Sequence, residues 1–364
     1  MISVSAPGKL FVAGEYAVVE PGQPAVLVAV DRYLTVHLRE SVEAGTVHSP
    51  EYGRLPLVWR RDGDGVAIDV EHHPYDYVMS VITLVERLRA ERGVAPRFFD
   101  LRIDSQLDDA SGRKFGLGSS AAVTVATVRA LDEFYGLGLT RRQAFQLALL
   151  ATVRVAPTAS GGDLAASTFG GWIRYSAPDR ARLRARLDDG VAVGDLLVDD
   201  EAWAGLDLRR LTPPASLRLL VGWTGSPAST ERLVDQVQRR HRAGAYDQDV
   251  FLAESRDCVD ALTAALDAGD DEAAAAALRS ARGVIRRLGD ATGLAIETDG
   301  LSTLADVAEA AGAAGKSSGA GGGDCGIVLA PDTADVGRIM QGWEAHDIRH
   351  LAISVHPDAG GVDD

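Results

Sequence analysis

An α+β fold in two domains is the architecture this sequence predicts. Strand and helix signals mix along it without the regular βαβ alternation of a doubly wound sheet. At 364 residues the chain is too long for one ordinary core and fits two of average size. A charge-rich stretch at 178–214 ends in Pro213-Pro214, which places the boundary between domains at 1–212 and 215–364. Hydrophobic residues make up 46% and charged residues 24%, the balance of a packed globular protein rather than a disordered one.

The elements follow in order. Residues 2–5 and 10–12 read as strands flanking a tight Ala6-Pro7-Gly8-Lys9 segment, and 25–30, 33–38 and 97–103 add three more. Residues 77–92 carry Val78, Val81, Ile82, Val85 and Leu88 at helical spacing. Ser119 is the expected N-cap of a helix of small and apolar residues that runs to Tyr135 and stops at Gly136. Thr140 caps the next helix, which carries Phe145, Leu147, Leu149 and Leu150. A loop at 156–162 leads through Asp163 to an apolar stretch at Trp172 and Ile173. Beyond the proline pair, 217–223 reads as a strand, and alanine-rich helices fill about 226–313 with a break at Ala268-Gly269-Asp270. A glycine loop, a strand (326–330), a helix and a last strand (349–355) complete the chain.

Charge and composition exclude several functions. The net charge of −15 gives no general attraction to nucleic acid or anionic lipid, so an anionic ligand requires a local cationic island. The arginines of 180–186 (RARLRAR) therefore read as a solvated helix face. Cys258 and Cys325, without a CxxC pair, suit a reducing cytoplasm. No apolar run of about eighteen residues predicts a membrane span, and the N-terminus lacks a basic-then-apolar leader.

Four segments point to phosphate chemistry. Gly116-Leu117-Gly118-Ser119-Ser120-Ala121-Ala122 opens a helix, where glycines admit an anion close to the backbone and the first N–H groups favour negative charge. A helix that merely starts after a flexible turn is the plainer alternative. The segment is neither a GxxxxGK[ST] loop nor a GxGxxG fingerprint, since Ala121 stands where the third glycine belongs. Lys316-Ser317-Ser318-Gly319-Ala320-Gly321-Gly322-Gly323-Asp324 precedes a buried-looking strand, which favours an anion-cradling loop over a linker. In Ser160-Gly161-Gly162-Asp163 the aspartate is a base, a metal ligand or a helix cap. Lys9 lies between Gly8 and apolar Leu10-Phe11-Val12; alone it is an ordinary strand-edge lysine. His72 and His73 lack spaced partners for a metal and suggest a turn before Pro74. Cys325 reads as a packing residue, and His346, His350 and His356 as surface or packing residues.

Together these segments resemble the GHMP kinases. The resemblance rests on APGKLFVAGEYAVVEPGQPAVLVAV, KFGLGSSAAVTVA and KSSGAGGGDCGIVL, in the family's order and spanning nearly the whole chain. Within the family, GEYAVVEPGQPAV, FGLGSSAAVTVA, GWTGSPAST and KSSGAGGGDCGI look most like the bacterial phosphomevalonate kinases. The resemblance implies an N-terminal ribosomal-protein-S5-like domain, a C-terminal ferredoxin-like domain, and ATP and acceptor bound between them. It implies ATP phosphates on Lys114, Gly116, Leu117, Gly118, Ser119, Ser120 and Ala121, with Ser120 (or Ser119) as ligand of Mg2+. Lys9 and Asp163 match the catalytic positions. Lys9, Tyr16, Ser160, Gly161, Lys316, Ser318, Gly319, Ala320 and Gly321 would hold phosphomevalonate, with Asp163 orienting Lys9 or acting as base. Thr152 stands eleven residues before Asp163, where mevalonate kinases carry a magnesium-binding glutamate, and Pro157-Thr158 replaces their Gly-Asn pair. Mevalonate kinase and diphosphomevalonate decarboxylase activity are the alternatives within the family, and a non-catalytic ligand-binding member lies outside them. A homodimer is compatible with this reading.

Overall fold

Two strands form the backbone of the N-terminal sheet: β1 (Ile2–Ala13) and β2 (Pro24–Ser41), antiparallel and joined through a 3-10 turn at Ala17–Val19. The sequence pattern splits each in two, yet both run through. In β1 the register shifts between Pro7 and Gly8, so the proline's missing N–H falls at a bulge rather than in the ladder. From that point β1 is buried on both faces, which ends its alternation of buried and exposed residues. The computed structural model describes residues 1–49, 55–62, 65–68, 75–226 and 228–358; His72, His73 and Pro74 lie outside the described residues.

The chain continues with β3 (Gly45–His48), β4 (Leu57–Asp62), β5 (Gly65–Ile68), α1 (Asp76–Glu91), β6 (Phe98–Ser105), α2 (Ser119–Tyr135), α3 (Arg141–Val155), α4 (Gly162–Phe169) and β7 (Trp172–Ser176). The charge-rich stretch after it is built rather than a plain connector, with α5 (Arg180–Asp188), α6 (Val193–Leu196) and β8 (Asp207–Leu211). The sheet runs β5-β4-β3-β6-β2-β7-β8, with β1 on β2. Helices α2 and α4 pack on β1 and β2. Val125, Val128 and Leu131 of α2 are buried, each worth about 1.5–3 kcal/mol. Thr140 caps α3 as expected, in a reciprocal box with Gln143 (3.1 Å each way).

The second sheet uses β9 (Leu217–Trp223), β10 (Ala314–Ser317), β11 (Cys325–Pro331) and β12 (Arg349–Leu351), in the order β10-β11-β9-β12. Counted within this unit the order is 2-3-1-4, the arrangement of ferredoxin-like folds. Helices α7 (Thr230–Arg242), α8 (Gln248–Ala268), α9 (Asp271–Thr292) and α10 (Asp299–Ala310) precede β10, and α11 (Val336–Glu344) precedes β12. The break at Gly269 is a left-handed C-cap. β12 is shorter than expected because the chain beyond it changes sheets. Ser354 O accepts from Asp31 N, and His356 N donates to Ala29 O (both 2.9 Å). His356 also stacks edge-on against Tyr33. Among the described residues no helix is long and apolar enough to cross a membrane.

Candidate active site

The phosphate-loop segment is fixed from below by β1. Lys9 N donates to Leu117 O (2.9 Å), and the approach depends on glycine. A β-carbon on Gly8 would meet Leu117 O at 2.9 Å, and one on Gly118 would meet Lys9 Cε at 2.9 Å. Gly118, at φ +81, is the N-cap of α2, and no side chain caps the helix. Ser119 is therefore the first helical residue, not the cap the sequence suggests, because only a left-handed residue turns the chain closely enough over Lys9. Its uncapped first turn faces a cavity of about 460 Å³, the setting in which helix N–H groups bind anions. The Lys9 side chain is buried on this wall, its Nζ 5.3 Å from the centre of the Phe11 ring.

Asp163 lines the same cavity. Gly161, at φ +83, caps α4, and Asp163 lies in the first turn. A β-carbon at Gly161 would strike Leu149 (2.7 Å) and the Tyr175 hydroxyl (2.9 Å). That hydroxyl donates to Ser160 O (2.7 Å), so the turn is pinned to a buried phenol. Burial first, and then the Asp163 charge, push the Tyr175 phenol far above its ordinary range. Among the described residues no ion pair joins Lys9 to Asp163; on the same cavity wall, burial pushes the Asp324 carboxyl up to about 6, against the Ala228 N–H and the Lys9 charge.

The fold brings Lys9, Tyr16, Lys114, residues 116–121, Ser160, Gly161, Asp163, Gly319 and Ala320 around this one cavity. Tyr16, at φ +61, donates its hydroxyl to Ala320 O, tying the first motif to the third. Three expected acceptor contacts lie behind the wall instead. Lys316 belongs to β10, not the loop; it is wholly buried, and its Nζ pairs with Glu15 and donates to Ser317 O (2.6 Å). The Ser318 hydroxyl is used up on Phe11, accepting from its N–H and donating to its carbonyl (both 2.9 Å). Gly321 is packed so closely on Ile296 that a β-carbon would lie 2.1 Å from its carbonyl oxygen. Sequence reasoning missed Glu15, Tyr77, Thr158, Glu231 and Asp324 on the cavity wall. Tyr77 donates to Glu231 Oε1 (2.7 Å), joining α1 to α7, a pairing between residues 154 apart with no local signal. Glu15 and Asp324 both lie within the family-like motifs, where lysines and glycines carry the phosphate signal.

Among the described residues no cluster of three His, Cys, Asp or Glu side chains could hold a metal. The Ser119 and Ser120 side chains line the cavity, as does Thr152, whose hydroxyl is buried without a partner. Such neutral donors fit Mg2+ arriving on phosphate oxygens and keeping much of its water.

A helix start bare of caps, facing a buried lysine and a turn-held aspartate between two α+β units, defines a phosphotransferase acting on small molecules. The chain belongs to the GHMP kinases: residues 76–171 match the GHMP kinases N terminal domain, and 262–348 match GHMP kinases C terminal. It is 46% identical over 361 residues to a phosphomevalonate kinase of Streptomyces, covering 96% of each chain. The solved Streptococcus pneumoniae phosphomevalonate kinase, in complex with phosphomevalonate and AMPPNP, superposes with a TM-score of 0.85 at 29% identity, covering 98% of this chain and 100% of that one. A Listeria innocua protein superposes at 0.89 with 34% identity, over 99% of both chains.

Proposed function

We propose that this protein transfers the γ-phosphoryl group of ATP to the 5-phosphate of phosphomevalonate, giving diphosphomevalonate and ADP in the mevalonate route to isoprenoids. The observation that carries the acceptor is the likeness to the Streptomyces phosphomevalonate kinase along nearly the full length of both chains. The geometry supports a reaction between two anions. The acceptor monoester has a second pKa of roughly 6, so near pH 7 it is mostly dianionic and needs a base less than an alcohol would. Positioning and charge neutralisation then dominate. Lys114, Gly116, Leu117, Gly118, Ser119, Ser120 and Ala121 take the nucleotide phosphates, and Lys9 bridges γ-phosphate and acceptor. Asp163 orients the acceptor within the same cavity, where Ser160, Gly161, Tyr16, Gly319 and Ala320 complete its site. Mg2+, held through Ser120 or Ser119, supplies charge neutralisation on the phosphate oxygens when bound. The cleft would lie between units 1–212 and 215–364, in a cytoplasmic enzyme, either monomeric or a homodimer.

A coupled ADP assay across mevalonate, phosphomevalonate and diphosphomevalonate, with carbon dioxide detection, tests this. Turnover should be confined largely to phosphomevalonate, because a site built for a phosphate leaves cations unpaired when it is missing. Equal kcat/KM for mevalonate would remove the assignment.

A further inference from the structure

The hydrogen bond from the Tyr77 hydroxyl to Glu231 Oε1 (2.7 Å) joins two parts of the fold and has no place in the roles above. Tyr77 lies in the first turn of α1, which packs on α2 and α3. Glu231 lies in the first turn of α7, which packs on α9. Both side chains line the large cavity, and since Tyr77 is half-buried and Glu231 exposed, the bond sits at the cavity's solvent edge. Tyr77 also lines a second cavity of about 130 Å³, walled by Leu34, Ile103 and Val123. Lys114, Ser119 and Ser120 line both cavities too, so the tyrosine stands where the two meet beside the phosphate loop. Burial, and then the hydrogen bond to Glu231, hold the Tyr77 phenol well above its ordinary range, so it remains the donor in this pair.

The helix that carries Glu231 is lightly held. Of the 13 residues of α7 only Val237 is buried. Leu233 rests on the glycine loop, where a β-carbon on Gly322 would lie 2.7 Å from its Cδ1, and Val234 lines the large cavity. Gly225 (φ +74) and Gly244 (φ +73) bracket the helix, and a β-carbon on either would meet nothing within 4 Å, so both turns can change without disturbing packing. An element with so little buried apolar surface opens locally at low cost. We propose that the Tyr77–Glu231 hydrogen bond is a latch: it draws the first turn of α7 against α1 across the edge of the cavity, and nucleotide enters and leaves when it breaks. This rests on the reading of the cavity as a nucleotide site. Entry and release both wait on the same opening, so the latch slows the two rates by a common factor and leaves the Kd nearly unchanged.

Tyr77→Phe is the test, since it removes the hydroxyl and keeps the ring. Stopped-flow fluorescence with N-methylanthraniloyl-ADP and Mg2+ gives the association and dissociation rate constants, and calorimetry gives the Kd for unlabelled MgADP. In the variant both rate constants should rise together by about three- to tenfold, the factor one such hydrogen bond represents, while the Kd changes by less than about twofold. Glu231→Ala should do the same from the other side of the bond. Glu231→Gln keeps an acceptor for the hydroxyl and should hold the rates close to those of the wild-type protein. An association rate constant unchanged in both Tyr77→Phe and Glu231→Ala would overturn the latch: faster dissociation alone would make the pair an ordinary ligand contact, and no change in either rate a packing contact. If the wild-type protein binds no MgADP in the calorimeter, the nucleotide reading falls and takes this inference with it. Should Tyr77→Phe not fold, the association rate constant of Glu231→Ala decides alone.

Discussion

Replacing Lys316 by methionine distinguishes a substrate-binding lysine from a structural one. Lys316 is 0% exposed and Glu15 3%, and they join β10 of the second sheet to the turn after β1. Glu15 Oε2 is already buried without a hydrogen-bond partner, so losing the ammonium leaves the carboxylate without its cation. Removing one member of such a pair costs about 3–5 kcal/mol, most of it the isolated buried charge. Methionine preserves much of the lysine stem's volume, so cavity formation adds little. Against a total stability of about 5–15 kcal/mol the variant should still fold. Urea denaturation followed by circular dichroism reads the loss directly. Glu15→Gln combined with Lys316→Met should be less unstable than the two single losses added together, with a coupling of about 0.5–3 kcal/mol. A Lys316→Met protein with a wild-type denaturation curve and a raised KM for phosphomevalonate would refute this reasoning and return Lys316 to the acceptor site.

Three further outcomes follow from the same geometry. Ser120→Ala should weaken the magnesium dependence of kcat, whereas Ser119→Ala should change stability by no more than about 0.5 kcal/mol, since Gly118 holds the cap; magnesium titrations and denaturation curves separate the two. Asp163→Asn should remain impaired at pH 8, where the acceptor is fully ionised, and a pH–rate profile climbing to near wild-type activity there would make Asp163 a base. The Asp324 carboxyl is raised from 3.8 to about 6 on folding, so its stabilising contribution is complete below pH 3.8 and lost as pH rises through 6. Asp324→Asn should accordingly be more stable than wild type at pH 8, by about 1–2 kcal/mol after discounting for partial exposure, with the gap closing toward pH 4 in denaturation measurements.

The turns that line the cavity were legible from local sequence because they depend on local backbone. Gly116 to Ala121 and Ser160 to Asp163 are contiguous turns leading into helices, and glycine spacing with hydroxyls is sufficient to announce them. Thr140 with Gln143, and the stops at Gly136 and Gly269, are equally local, since a cap is satisfied within one turn. The local rule failed at Ser119, where the demand that placed Gly118 at the cap came from Lys9 on a distant strand.

What only the tertiary structure decided is which charges face the cavity and which face each other. Lys316 and Lys9 look alike as lysines beside glycine-rich segments, yet one is consumed by Glu15 and the other lines the site. Asp163 and Asp324 both follow glycines, but backbone hydrogen bonds with Thr224 and Ser226 set Asp324 against Gly116. The sequence by itself determined the family, the main helices and the glycine turns that open α2 and α4, because backbone preference and hydrophobic period act over a few residues. The pairing of Glu15 with Lys316, and of Tyr77 with Glu231, was left to the fold, because a charge or hydroxyl is matched by whatever packing brings within about 3 Å, however far apart along the chain.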